Sequence, residues 1–312
     1  MKNNSNLDIA PTISFSDSVK NLFHEQLTNW ELARTNFNGL KSVRTKTFSF
    51  DDFDVLVQFN SARIVSTGAK VDAKTISERK CFLCVDNRPK EQNGIQLGNY
   101  TLLVNPFPIF PEHFTIPYIK HIDQQIAKYF VDLVELAEVL ENYVVFYNGP
   151  KCGASAPDHL HFQAGTKNFL PLINDYKRMK INHADLIQKG ENFELFSLKN
   201  YLRTVFCIES TTVYAGEQAF ESLYKKLQKD NKSEPMMNIA CSFENGKWFT
   251  FILPRANFRP WQYTALEEDK QLMVSPATVE MCGIFITAVE SHFERITKED
   301  IISIFEQSSL YI

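Results

Sequence analysis

The stretch Asp158-His159-Leu160-His161-Phe162-Gln163, "DHLHFQ", alternates polar and large apolar side chains. A period of two is the pattern of a strand with one face buried. His159, His161 and Gln163 then share one face, about 7 Å per step, and Leu160 and Phe162 share the other. An edge strand whose polar face merely meets water would read the same way. The preceding loop, "NGPKCGAS", favours a site, because it brings Asn148, Gly149, Gly153 and Ser155 to the head of the strand. Imidazole is largely neutral near pH 7 and nucleophilic at nitrogen, so it can attack phosphorus and leave again. Loop N–H groups and the Ser155 hydroxyl suit phosphate oxygens, and Gln163 can donate an amide N–H to the same group. The chemistry expected of such a strand is nucleotidyl transfer.

Outward from it, "YTLLVNPFPIFPEHFTIPYIKH" reads as two strands, 100–105 and 113–117, followed by a helix over 123–141, strand "YVVFYN" and strand "HLHFQAG". Strand, strand, helix, strand, strand makes an α+β unit with an antiparallel sheet and a crossing helix. Ahead of it lie an amphipathic helix over 15–40 with Ser16 as N-cap, a hairpin turning near Asp51-Asp52, and "ARIVSTGAK", read as extended. After it, 174–192 reads as a polar excursion. Strand "LRTVFCIES", helix "GEQAFESLYKKLQK", a hairpin about Asn245-Gly246 and a terminal helical region then form a second α+β unit. The expected division is 1–170 and 171–312, two related halves with the second a degenerate repeat.

With 312 residues, 44% hydrophobic, the chain can bury one large core or two medium ones. Lys+Arg 33 against Asp+Glu 37 gives a net charge of −4, which argues against non-specific nucleic-acid binding. No apolar run approaches the roughly 20 residues of a membrane span. The start lacks the apolar segment of a secretory signal, so the expected location is the cytoplasm. In a reducing compartment, the close pair Cys81/Cys84 reads as metal-binding or redox-active, and Cys152, Cys207, Cys241 and Cys282 as buried hydrophobes.

"YNGPKCGASAPDHLHFQAG" resembles the active-site segment of the histidine-triad-like superfamily in its HxHxQ branch. That branch includes galactose-1-phosphate uridylyltransferase, diadenosine tetraphosphate phosphorylase and the GDP-hexose phosphorylases. "HLHFQA" is most similar to the last group, "NGP...GAS" to the diadenosine tetraphosphate enzymes, and "VSPATVEMCGIF" to a late segment of the GDP-hexose phosphorylases. Between Ser155 and His159 the chain has one residue more than the diadenosine tetraphosphate branch is expected to have. The resemblance implies a covalent nucleotidyl intermediate on His161, with Gln163 on the transferred phosphate. It also implies a phosphate or base contact at Arg63 and a structural zinc on Cys81, Cys84, His121 and His159, with His113 as an alternative ligand or a core residue. The implied activity is phosphorolysis of a nucleoside-diphosphate hexose. Alternatives are phosphorolysis of diadenosine tetraphosphate, hexose-1-phosphate uridylyl transfer, hydrolysis by the same histidine, and nucleotide binding without turnover. Expected partners are a nucleotide sugar or dinucleoside polyphosphate, phosphate and a second copy of the chain as a homodimer, without nucleic acid or membrane. Lys120, Arg255 and Arg259 are further candidate phosphate contacts.

Overall fold

The computed structural model describes residues 14–64, 72–228 and 233–312. In chain order the elements are helices α1 (Phe15–Asn29) and α2 (Glu31–Gly39), strands β1 (Arg44–Ser49) and β2 (Asp54–Phe59), and helix α3 (Ala73–Glu78). Then come β3 (Gly94–Leu97), β4 (Tyr100–Val104), β5 (His113–Pro117), α4 (Phe130–Val139), β6 (Tyr143–Asn148) and β7 (His161–Thr166). The second half begins with α5 (Pro171–His183), β8 (Ala184–Lys189), β9 (Phe193–Leu198), β10 (Val205–Ser210), α6 (Val213–Leu227), β11 (Met237–Glu244) and β12 (Lys247–Pro254). It closes with α7 (Trp261–Thr264), α8 (Thr278–Met281), β13 (Ile284–Thr287), α9 (Glu290–Arg295) and α10 (Lys298–Ser308).

Among the described residues, ten strands form one antiparallel sheet in the order β3-β4-β5-β7-β6-β11-β12-β10-β9-β8. The fold is α+β, and its two halves repeat one plan: three strands, a helix and two strands, ordered 3-4-5-7-6 and 8-9-10-12-11. They meet at β6 and β11, where Asn148 faces Asn238. The halves differ where it matters for chemistry. β11 and β12 are joined by the tight turn Asn245-Gly246, with positive φ at both residues, while β6 and β7 are joined by residues 149–160. The second hairpin also carries no histidine.

One face of the sheet packs on α1, α4 and α6, with Phe130 stacked on Phe220 at 3.9 Å. The other face carries His113, His161 and Gln163 and packs on a second, three-stranded sheet, β1-β2-β13, whose β2–β13 pair is parallel. No helix among the described residues is long and apolar enough to cross a membrane.

Several expectations are corrected. The helix over 15–40 is two helices, broken at Trp30, whose extended φ and ψ (−118°, 103°) let its side chain turn inward; the N-cap is Ser14, whose hydroxyl accepts from Asp17 N–H, not Ser16. Residues 61–64 form a helical turn rather than extended chain, and 65–71 lie outside the described residues. The helix expected over 123–141 begins only at Phe130, because the groups ahead of it bond elsewhere: the Ile126 N–H donates to Glu234, and the Gln124 side chain is inserted between β6 and β7. The polar excursion 174–192 is most of α5 and all of β8. Tyr176 and Met179 bury the inner stripe of that helix.

Candidate active site

β7 is held between β5 and β6, with Gln163 opposite Thr115 on one side and Phe146 on the other. Leu160 and Phe162 are fully buried on the back face, so the strand cannot slip without exposing them. His159 lies just before the strand and turns away toward the cysteines, so the shared polar face is that of His161 and Gln163. The amide of Gln124 clasps the first residue of β7: its oxygen accepts the His161 N–H at 2.8 Å, and its NH2 donates to the carbonyls of Asn148 (2.9 Å) and His161 (3.0 Å).

The His161 imidazole is buried, and its Nδ1 lies 2.7 Å from the His159 carbonyl. A carbonyl only accepts, so Nδ1 carries the proton and Nε2 keeps its lone pair. Burial pushes the His161 pKa down to about 4, with the His159 carbonyl contact opposing, so the ring is neutral at pH 7.

Gln163 is oriented by similar logic. His113 Nδ1 accepts the Ile109 N–H at 3.2 Å, so His113 Nε2 carries the proton and donates to Gln163 Oε1 at 3.0 Å. With its oxygen held, Gln163 turns its NH2 outward as a donor. Burial, reinforced by the Arg63 charge, lowers the His113 pKa to about 3 and keeps the arrangement neutral. Arg63 bonds the Phe107 carbonyl through Nη1 at 2.6 Å and lies near Glu280; its Nε is buried without a partner among the described residues, and burial lowers the guanidinium pKa to about 10.

The loop 149–160 is anchored by the second half of the chain. Asn148 Oδ1 accepts from Asn238 Nδ2 (3.1 Å), Thr278 N (2.9 Å) and Thr278 Oγ1 (2.7 Å), so this oxygen serves the anchor. The Gly149 N–H donates to the Met237 carbonyl at 3.2 Å. Gly153 has φ +98° and sits where a Cβ would lie 2.5 Å from that of Ala277, so only glycine allows this close approach. The Ser155 side chain is exposed, and its carbonyl accepts from Arg79. Arg255 directs Nε, Nη1 and Nη2 to Asn238 and backbone carbonyls, a structural clasp rather than a phosphate contact.

Cys81, Cys84, His121 and His159 converge, with one candidate ligand atom from each lying within 4.8 Å of all the others. Cys81 Sγ is 3.3 Å from His159 Nδ1, Cys84 Sγ is 3.2 Å from His121 Nδ1, and Cys84 Sγ is 3.6 Å from His159 Nδ1. Tetrahedral bonds of about 2.3 Å to sulfur and 2.0–2.1 Å to nitrogen would set S···N near 3.5 Å, so the cluster fits zinc. His159 Nε2–H donates to the Tyr118 carbonyl at 2.8 Å, which leaves Nδ1 as the ligand atom. His113, engaged with Gln163, is not part of this cluster.

Sequence reading missed Arg79, Gln124, Thr278 and Glu280. Thr278 and Glu280 lie in the quoted "VSPATVEMCGIF" segment, which was the available signal for them. Gln124 falls inside the helix expected over 123–141, where nothing in the sequence distinguishes it.

A family model described as "Domain of unknown function (DUF4922)" matches residues 22–166, and one described as "GDPGP1-like, C-terminal domain" matches residues 177–311. Diadenosine 5',5'''-P1,P4-tetraphosphate phosphorylase 2 of Saccharomyces cerevisiae is 39% identical over 167 residues, covering 47% of this chain and 49% of that protein. The match thus spans about half the length of this curated relative. Two solved structures share the fold. Yeast Ap4A phosphorylase Apa2 has a TM-score of 0.55 at 19% identity, covering 93% of this chain and 94% of that one. Its complex with Ap4A has a TM-score of 0.57 at 18% identity, covering 94% and 97%. The HxHxQ strand, its loop and the repeated sheet thus lie on the fold of yeast Ap4A phosphorylase Apa2, and the second half is similar to the GDPGP1-like C-terminal domain.

Proposed function

We propose that the protein is an enzyme that transfers a nucleoside monophosphate group through a covalent nucleotidyl-histidine at His161, with phosphate as the second substrate. The observation that carries this is the tautomer of His161, a buried neutral ring with Nδ1–H tied to a carbonyl and the Nε2 lone pair available. In the first step Nε2 attacks the α-phosphorus of the donor; an N–P bond forms and the P–O bond to the departing phosphate ester breaks. In the second, a phosphate oxygen attacks the same phosphorus, the N–P bond breaks, and a nucleoside diphosphate leaves. The Gln163 NH2 donates to the transferred phosphoryl group, where charge is redistributed in both steps. Arg63, with its buried unpartnered Nε, adds positive charge on the His113 side.

The donor carries a pyrophosphate linkage to a nucleoside. Our first reading is a nucleoside-diphosphate hexose, supported by "HLHFQA" and by the GDPGP1-like C-terminal match. The second is a dinucleoside polyphosphate, supported by the 39% identical phosphorylase segment. We also propose that Cys81, Cys84, His121 and His159 hold zinc. With four protein ligands the metal would act as a structural cross-link that pins the head of β7.

The test is the intact mass of the protein after incubation with GDP-glucose, UDP-glucose or diadenosine tetraphosphate, each without phosphate, beside His161→Ala. A nucleoside monophosphate adduct absent from the variant is expected, and its mass identifies the base. A folded, zinc-loaded protein that forms no adduct with any of the three would refute the proposed mechanism for these donors.

A further inference from the structure

We propose that Arg79 is the binding residue for the phosphate that the site exchanges, the group that leaves with the first product and enters as the second substrate. The inference rests on the reading of His161 as nucleophile, and it deepens that reading by naming what holds the other phosphate.

Arg79 lies between α3 and Cys81, on the segment that leads into the cysteine pair. Its Nη2 bonds Asp158 Oδ1 at 2.9 Å and the Ser155 carbonyl at 3.3 Å, which fixes the guanidinium against the loop that precedes His161. The other terminal nitrogen, Nη1, is buried and makes no hydrogen bond among the described residues. A buried guanidinium N–H without an acceptor is costly, and a phosphate oxygen is the acceptor that planar fork is best suited to. Phe82 supports the group from one side, with its ring centroid 5.1 Å from the guanidinium carbon. Asp158, which Arg79 bonds, lies three residues before His161 in the loop that leads into β7.

The two arginines bracket the reactive strand. Arg63 lies toward Gln163 and His113, near Glu280; Arg79 lies toward the head of β7, paired with Asp158. Asp158 in turn faces His121 Nε2 at 3.5 Å, so the Arg79 site is built onto the metal cluster. The transferred phosphoryl group at Gln163 and the exchanged phosphate at Arg79 would thus each meet a cation, Arg63 for the first and Arg79 for the second.

A purely structural Arg79 would act only through its bond to Asp158. Two variants separate the readings, because Arg79→Ala and Asp158→Asn both break that pair but only the first removes the cation. The probe is inorganic phosphate, titrated calorimetrically into the zinc-loaded protein without donor; zinc content and melting temperature are measured on each variant. Arg79→Ala is expected to weaken phosphate binding by about tenfold or more, the scale of one lost charge-assisted contact. Asp158→Asn is expected to keep or tighten it. Guanidinium added to Arg79→Ala should lower its KM for phosphate in the phosphorolysis assay. Phosphate binding by Arg79→Ala equal to wild type, or weakened equally in both variants, would overturn the inference. If Arg79→Ala does not fold, Arg79→Lys takes its place: it keeps the charge and loses the fork, so unchanged phosphate affinity would refute recognition through the free guanidinium N–H. Wild-type protein that binds phosphate through Arg79 yet forms no nucleotidyl adduct would sink the His161 reading alone. An adduct with phosphate binding indifferent to Arg79 would sink this inference alone.

Discussion

His113 is expected to matter for rate as well as stability, and His113→Phe separates the two. The ring makes two hydrogen bonds inside the protein, from Ile109 N–H at 3.2 Å and to Gln163 Oε1 at 3.0 Å. Phenylalanine keeps the ring beside Phe110 and Phe146 but leaves both polar partners unpaired. Each unpaired group costs about 1–3 kcal/mol, so stability should fall by about 2–6 kcal/mol. With its oxygen released, the Gln163 amide can turn either way, and the donor it offers the transferred phosphoryl group is no longer held in place. A hydrogen bond to a charged group is worth about 1.5–3 kcal/mol, which is about 10- to 100-fold in rate if it is lost in the transition state. The assay is the single-turnover rate of adduct formation by quenched-flow mass measurement, with melting temperature alongside. If His113 acts through Gln163, then His113→Phe with Gln163→Ala should be no slower than Gln163→Ala alone. A variant that loses stability but keeps its rate, or a double variant in which the rate losses multiply, would refute the reasoning.

Other perturbations have equally definite outcomes. Gly153→Ala puts a methyl group into Ala277 at a φ of +98°, so it should cost about 1–3 kcal/mol and slow adduct formation by displacing the loop; unchanged kinetics and melting would contradict the packing. Thr278→Val removes the hydroxyl bonds to the Tyr147 carbonyl and Asn148 Oδ1, and denaturant unfolding should show a loss of about 1–3 kcal/mol. Cys84→Ser should release zinc, read by metal analysis, and lower the melting temperature; full retention of the metal would refute the four-ligand assignment. The folded-state pKa of His113, about 3, lies below its ordinary 6.5, so the unfolded chain binds the proton more readily. The resulting stability is present above pH 6.5 and is lost as pH falls from 6.5 toward 3, by about 3–5 kcal/mol in all. Unfolding measured from pH 7 to pH 4 should show this slope flattened in His113→Phe.

Local pattern made much of the first half legible. Alternation in "HLHFQAG" and "YVVFYN" marks strands because a half-buried sheet face repeats every two residues, and Asn245-Gly246 marks a hairpin because both residues tolerate positive φ. The segment 174–192 reads as a polar excursion because α5 fully buries only Tyr176 and Met179 within it and β8 is an edge strand, so each shows little apolar periodicity. Trp30 broke an otherwise continuous helical pattern, since a buried aromatic at a bend has the same one-letter signature as one on a helix face.

From the amino-acid sequence alone come the strand that presents His161 and Gln163 and the glycines ahead of it, which rest on short-range spacing, while the cysteine and histidine set is what the family resemblance implies. Tertiary structure alone decided what those groups can do. The His161 proton is assigned by the His159 carbonyl, the Gln163 amide by His113 fifty residues earlier, and the clasp on β7 by Gln124. The loop anchor comes from Thr278, 130 residues beyond Asn148, and β13 reaches back to pair with β2. Periodicity reports which face of an element is buried, but a hydrogen bond between distant residues depends on where the folded chain carries them, and no local pattern encodes that.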